Sequence, residues 1–161
     1  MAEGKLLIAW HSRTGASEAL ARAAAEGAGE RGVLKYCAEV EPDDLLEAAA
    51  YLFSCPENLA SMSGLMKEMF DRCYYPVLGR IEGRAYATLI AAGSDGEGAQ
   101  RQIDRIATGW RLKRVADPVI VNMAAQTPAE ILADKSVPDA RLDDCRALGA
   151  ALAEGLALGM Y

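Results

Sequence analysis

The chain has 161 residues, 52% of them hydrophobic and 25% charged, which is the balance of one ordinary globular domain. Its net charge is −6 and it has no Lys/Arg-rich block, which argues against a nucleic-acid partner because binding phosphates needs a basic surface. The first apolar run is too short for a signal peptide or a membrane span. We therefore predict a single domain over residues 1–161, located in the cytoplasm and not in a membrane.

The cysteines indicate the same compartment. Four cysteines stand far apart without a C-x-x-C pair, and His11 is the only histidine. These spacings argue against a zinc site and a disulfide framework, so we expect no metal and a reducing environment. Cys55, at the end of a predicted strand, is expected to be a packed thiol rather than a reactive one.

Short apolar runs alternate with helical patterns from the start of the chain. Residues 6–10 predict a buried strand, and residues 16–31 place alanines and a leucine on one helical face. Residues 33–38 predict a second strand, at a sheet edge because a lysine interrupts it. A short helix is predicted over residues 42–49, which begin with a proline and two aspartates, and a third strand over residues 51–53.

The same alternation continues to the end of the chain. Apolar residues at spacings of three and four predict a helix over residues 62–73, with its methionines in the core. Residues 86–92 predict a fourth strand, residues 103–110 the next helix and residues 118–121 a fifth strand. An irregular connection then precedes a last helix over residues 139–158. Such alternation predicts β-α-β crossovers and a parallel sheet with helices on both faces.

Three loops of unusual composition follow the predicted strands, at the edge where parallel sheets bind ligands. The first loop, residues 11–17, offers hydroxyl groups and a glycine before a helix, the features of a phosphate cradle. It matches neither the P-loop nor the dinucleotide fingerprint, and a plain Ser/Thr helix cap explains it as well. The second loop, residues 54–64, and the glycine-rich third loop, residues 93–98, can each be an ordinary turn.

Together the three loops carry a resemblance to a known family. Residues 12–17 match the pattern Ser/Thr-x-Thr-Gly-x-Ser/Thr, and residues 60–72 are similar to the segment after strand three in flavodoxin-like NAD(P)H-dependent FMN reductases and related quinone oxidoreductases. Residues 92–96 are similar to the third flavin loop of that family. The chain, over at least residues 5–121, therefore resembles the flavodoxin-like superfamily. This implies a three-layer α/β/α fold with a five-stranded parallel sheet of order 2-1-3-4-5.

The resemblance also implies a set of FMN-binding residues. The phosphate would lie on the first loop, the isoalloxazine ring along the second, and the third would close the other side of the ring. Flavodoxin-type carriers usually stack an aromatic residue on the ring, and the second and third loops contain none. In that order of loops, the implied residues are Ser12, Arg13, Thr14, Gly15, Ala16 and Ser17; Pro56, Glu57, Asn58, Leu59 and Ser61; and Gly93, Ser94, Asp95 and Gly96.

The function implied is an FMN-binding oxidoreductase that passes electrons from NAD(P)H to a quinone, a flavin or a similar small acceptor. The flavin performs this chemistry, so no catalytic side chain is assigned. Two alternatives stay open: a flavodoxin-type electron carrier, and a flavin-free binding module on the same fold. A homodimer or higher homo-oligomer is also expected, in which residues 74–76 and 122–138 cover a neighbour's flavin edge.

A few polar residues leave two interpretations open. His11 either assists an anion beside the first loop or makes a structural hydrogen bond. Arg72, Arg80 and Arg84 are expected to form a solvated face, with an NAD(P)H phosphate contact as the alternative.

Overall fold

The computed structural model describes residues 4–161; the first three residues of the predicted domain lie outside them. Strands and helices alternate through most of this range. The strands are β1 (Leu6–Trp10), β2 (Gly32–Tyr36), β3 (Ala50–Asn58), β4 (Ser61–Met62), β5 (Ala85–Ala92), β6 (Lys113–Arg114) and β7 (Val119–Asn122). The helices are α1 (Ala16–Ala28), α2 (Pro42–Glu47), α3 (Gly64–Val77), α4 (Glu97–Gly109), α5 (Pro128–Leu132) and α6 (Asp139–Ala157).

The sheet has the predicted parallel topology. The strands β2, β1, β3 and β5 pair in that order, all parallel. The position beyond β5 is shared, because β6 pairs with the start of β5 and β7 with its end. Pro118, which has no N–H to donate, lies in the gap between these two short strands. The predicted order 2-1-3-4-5 is therefore confirmed, with β5 as the predicted fourth strand and β6 and β7 sharing the fifth position.

The strand count differs from the prediction. The described residues form seven strands instead of five, because the fifth position is split and because β4 folds back antiparallel onto the end of β3. This pairing also extends β3 to Asn58, well beyond the predicted residues 51–53. Met62 consequently belongs to β4, and α3 begins only at Gly64.

Helices cover both faces of the sheet. Leu6 and Ile8 of β1 pack in the layer that contains α1 and α6, while Leu7 and Ala9 face the layer built mainly by α2, α3 and α4. Both faces are buried, so the central strands are largely apolar; all eight residues of β5 are buried. The fold is thus the predicted three-layer α/β/α arrangement.

Two glycines allow α1 and α6 to pack closely. A Cβ atom at Gly27 would collide with the carbonyl of Arg146, and one at Gly149 would collide with the carbonyl of Ala24. The Glu26 and Arg146 side chains pair across the same contact at 2.9 Å. In the described part of the chain, no helix is long and apolar enough to cross a membrane.

Candidate functional site

The carboxyl ends of β1, β3 and β5 open into a cleft of about 710 Å³, within the usual size range of small-ligand sites. Strand order reverses between β1 and β3, so the cleft lies where open α/β sheets bind ligands. All three predicted loops contribute to its wall. The predicted residues in the lining are Ser12, Arg13, Thr14, Ala16, Ser17, Pro56, Glu57, Asn58, Leu59, Gly93 and Ser94.

The first loop forms a tight turn that aims the start of α1 into the cleft. Gly15 has a φ of 99°, a left-handed conformation that favours glycine, and it immediately precedes α1. Its N–H donates to the Ser12 Oγ at 3.0 Å, which fixes the turn. Ala16 and Ser17, in the first turn of the helix, line the cleft. The positively polarised end of α1 therefore faces the space where an anion would lie.

Ser17 carries a hydroxyl group that the described residues leave unsatisfied. Its side chain is 1% exposed and its Oγ has no hydrogen-bond partner there. An unsatisfied buried hydroxyl costs about 1–3 kcal/mol, so such a group needs an explanation. Because Ser17 lines the cleft beside the start of α1, an oxygen-bearing ligand would complete its hydrogen bonding. This fits a phosphate group on the first loop.

The second and third loops are joined by Glu57. Its carboxylate accepts hydrogen bonds from the N–H groups of Gly96 at 2.9 Å and Ala99 at 3.1 Å, at the start of α4, where a negative charge is favourable. Gly98 faces the same turn, and a Cβ atom there would collide with the Ala60 carbonyl. The Glu57 carboxylate thus positions the two loops.

Leu59 and Ala60 form the outer turn of the second loop. Both have left-handed backbone conformations, with φ values of 52° and 62°, which are rare for residues with a side chain. The turn leaves Leu59 fully exposed at the rim of the cleft. Such strain often marks a binding site.

Four of the predicted residues are not part of the cleft lining. Gly15 and Gly96 shape turns; each has a φ of 99° and precedes a helix. Ser61 accepts a hydrogen bond from the Gln102 Nε2 at 2.9 Å and so ties the second loop to α4. Asp95 is exposed at the tip of the third loop.

A fourth segment of the chain, outside the three predicted loops, also lines the cleft. We call residues 123–135, which contain α5, the cover segment. Its backbone is held to the other loops, because Ala125 N–H donates to the Gly93 carbonyl at 3.0 Å and Lys135 N–H donates to the Thr14 carbonyl at 2.8 Å. The lining residues missed by sequence are Ala60, Ala91, Ala92, Met123, Ala125, Ile131, Leu132 and Lys135.

Residues 122–138 were expected to cover a neighbour's flavin edge, which stays a prediction. Within its own chain, the cover segment borders the cleft. A capping box begins α5: Thr127 Oγ1 accepts from the Glu130 N–H, and the Glu130 carboxylate accepts from the Thr127 N–H. The pattern Thr-Pro-Ala-Glu is the sequence signal that could have predicted this helix.

His11 makes the structural hydrogen bond. Its Nδ1 lies 2.7 Å from the Ser63 Oγ, and the ring is buried. Burial, assisted by the Arg13 charge, lowers the pKa of His11. Cys55 is a packed thiol, as expected, since burial raises its pKa to about 12.

Arg72 and Arg84 do not form the expected solvated face. The Arg72 guanidinium donates to the carbonyls of Val40 and Cys37. The Arg84 Nη1 lies within hydrogen-bond distance of carbonyls at the end of α2 and just beyond it, including that of Ala48. Both arginines brace neighbouring backbone segments, and Arg72 also pairs with Glu68 at 2.9 Å. Arg80 is exposed, as expected.

The described cleft lining contains no aromatic side chain. Trp10, the aromatic residue nearest to the first loop in sequence, packs edge-on against Tyr36 with ring centroids 4.9 Å apart. The apolar part of the wall is aliphatic, formed by Leu59 on one side and by Ile131 and Leu132 of the cover segment.

The sheet has the flavodoxin-like strand order, and its cleft lies at the point where this order reverses, beside a helix start that can bind an anion. These features define a flavodoxin-like α/β fold. No protein-family model matches the chain. In an alignment 164 positions long, the chain is 29% identical to a flavodoxin of Aquifex aeolicus. The alignment covers 96% of this chain and 88% of that protein.

Solved structures share the fold. A flavodoxin from the domain Archaea superposes with a TM-score of 0.77 at 20% identity, covering 95% of this chain and 99% of the other. An NADPH-quinone reductase from P. pentosaceus superposes with a TM-score of 0.64 at 14% identity, covering 91% and 97%. These superpositions show that the chain has a flavodoxin-like fold.

Proposed function

We propose that the chain binds FMN in the cleft and acts in electron transfer. The observation that carries this proposal is the buried hydroxyl of Ser17, a residue of the cleft lining in the first turn of α1, which has no partner among the described residues. A phosphate oxygen would accept its hydrogen bond, and the first-turn amides of α1 would donate to the same group. The similarity to a flavodoxin over nearly the whole chain supports the same ligand.

Different loops around the cleft would bind different parts of the FMN molecule. Ser12, Thr14 and Ser17 would hold the phosphate, and Pro56 to Leu59 would lie along the ring. Gly93 and Ser94 would approach the other side with their backbone, while Glu57 keeps the two ring loops together. Bound FMN supplies the redox chemistry, and the protein supplies binding, orientation and electrostatics.

The finer proposal is that NAD(P)H reduces the bound flavin directly and a small acceptor such as a quinone or free flavin oxidises it. Direct hydride transfer needs a second flat ring to reach the flavin. The aliphatic lining supports this, because no aromatic side chain of the lining competes for the ring face. An NADPH-quinone reductase has the same fold, which is in keeping with direct reduction by NAD(P)H.

A second candidate function is that of an electron carrier. It is favoured by the 29% identity to a protein named flavodoxin. A carrier would exchange electrons with partner proteins and would not react with NAD(P)H.

One titration separates these functions. Purified protein is mixed with FMN, freed of excess flavin, and its absorbance recorded. Retained flavin bands near ~375 and ~450 nm support FMN binding, and failure to retain flavin would contradict it. NADPH or NADH is then added without oxygen, with free FMN at the same concentration as the control. Bleaching much faster than in the control indicates a reductase, whereas reduction by dithionite alone indicates a carrier.

The remaining expectations stay part of this proposal. The acceptor is a small molecule, and a chain with a net charge of −6 is not expected to bind nucleic acid. All four cysteines are unpaired and buried, which supports a reducing compartment such as the cytoplasm. Self-association through exposed side chains such as Tyr75 and Leu78 would be tested by sedimentation at several protein concentrations.

A further inference from the structure

We propose that Lys135 of the cover segment binds the phosphate of the ligand and makes the cleft selective for a phosphorylated flavin. This inference rests on the proposed function and adds a residue outside the three flavin loops. Lys135 is half-buried and lines the same cleft as Ser12, Thr14 and Ser17. Its backbone N–H donates to the Thr14 carbonyl at 2.8 Å, so the first loop and this lysine are directly connected.

The ammonium group of Lys135 has bonding capacity left for a ligand. Its Nζ donates to the carbonyls of Ile131 at 3.0 Å and Ala133 at 2.6 Å. An ammonium group has three donors, so one remains. These two carbonyls, at and just beyond the end of α5, hold the charge in place.

No carboxylate in the described part of the chain neutralises Lys135. The nearby Glu130 carboxylate accepts from the amides of Gln126 and Thr127. Glu57, the acidic residue of the lining, accepts from two amides of its own. The lining thus contains two cations, Arg13 and Lys135, and one carboxylate, Glu57, and none of the three is in an ion pair within the described residues.

This arrangement matches a dianionic phosphomonoester. The net charge of the whole chain is −6, which disfavours anion binding in general, so the cations of the cleft lining provide the local attraction that an anionic ligand needs. Ser17, which lines the same cleft, offers a neutral donor, and Lys135 adds the charge. Riboflavin, which has the same ring system without the phosphate, would gain nothing from Lys135.

The test compares FMN and riboflavin binding in matched variants. Lys135→Gln removes the charge but keeps an N–H donor, Lys135→Arg keeps the charge, and Lys113→Gln makes the same exchange at an exposed position on β6. Affinities are measured by quenching of flavin fluorescence. We expect Lys135→Gln to weaken FMN binding about tenfold, a typical loss for one charged contact, and to leave riboflavin binding within about twofold. Lys135→Arg and Lys113→Gln should bind FMN like the unmodified protein.

Other results overturn the inference. Equal FMN affinity in the unmodified protein and Lys135→Gln would show that Lys135 does not contact the phosphate. Equal loss of FMN and riboflavin would show that Lys135 acts only by shaping the cover segment. If the unmodified protein binds neither flavin, the proposed function itself is wrong, which is a distinct outcome.

Discussion

At the scale of single residues, Ser17 is expected to affect stability and binding in opposite directions. Ser17→Ala removes a buried hydroxyl that has no partner among the described residues, so the free protein should unfold at the same urea concentration or a higher one. FMN affinity should fall about tenfold, because one phosphate contact is lost. Urea unfolding and a flavin titration of one preparation measure both effects.

Ser54→Ala is the matched control for Ser17. The Ser54 Oγ donates to the Ser17 carbonyl at 2.8 Å and is also buried. Its removal should lower the free energy of unfolding by about 1 kcal/mol. A Ser17→Ala protein that is destabilised as much as Ser54→Ala would contradict our account of the unsatisfied hydroxyl.

His11 gives the stability of the fold a pH dependence that can be isolated. Burial and the Arg13 charge lower its pKa from an ordinary value of about 6.5. Below that pH the unfolded chain takes up a proton that the folded protein does not. Stability should therefore decrease as the pH falls from about 6.5 towards the lowered pKa, by at most about 1.4 kcal/mol per pH unit.

The chain has one histidine, so the interval from about pH 7 to about pH 5.5 isolates this effect from most carboxylates. Urea midpoints across this interval should decrease for the unmodified protein. His11→Gln, whose amide can still bond to the Ser63 Oγ, should show a flat profile. Identical slopes in the two proteins would assign the pH dependence to other groups.

At the scale of elements, the junction of the second loop with α4 depends on Gly98. Gly98→Ala would place a Cβ atom against the Ala60 carbonyl, and we expect a loss of about 1–3 kcal/mol in unfolding free energy. FMN affinity should fall as well, because the Leu59–Ala60 turn moves. Gly109→Ala, in the same helix with open space around the new Cβ atom, should be neutral or stabilising by up to about 1 kcal/mol. Equal effects in both variants would mean that general helix propensity, and not the contact with Ala60, decides the outcome.

The elements also mark the limit of prediction from sequence. Local patterns predicted the main strands and every helix of the described residues except α5, since burial on both faces leaves largely apolar runs such as β5. They did not predict the β3–β4 pairing, because Met62 fits the apolar spacing of the helix that follows and becomes part of a strand only by pairing with Glu57. The role of Glu57 as a cap for α4 was equally inaccessible, since its partners lie about 40 residues further on.

The lining of the cleft was likewise predicted only in part. The loops after the predicted strands were expected at one edge of the sheet, and their resemblance to a known family implied eleven of the lining residues. Lys135 was missed because its contact with Thr14 joins opposite ends of the chain. Arg72 and Arg84 were misinterpreted because an internal carbonyl partner leaves no local pattern in the sequence.

At the scale of the whole molecule, ligand binding should stabilise the entire fold. The cleft brings together loops after β1, β3 and β5 and the cover segment before α6, so a ligand that binds all four opposes unfolding as a unit. FMN at about 100 times its dissociation constant should contribute about 2.7 kcal/mol, which raises the melting temperature by roughly 5–10 °C for a domain of this size. A thermal melt with and without FMN measures this shift, and an unchanged melting temperature at saturation would contradict it.

Thiol labelling of the four buried cysteines can measure how often each helical layer opens. Cys37, Cys55 and Cys73 lie in the layer that contains α3, and Cys145 lies in the layer of α1 and α6. Burial raises the pKa of all four thiols, and the thiolate is the reactive form, so each should resist alkylation until its surroundings open. The labelling rate of each cysteine then reports how often its own side of the sheet exposes its core. Equal rates would mean that both layers open in one cooperative event, whereas faster labelling of Cys145 would mean that α6 detaches first.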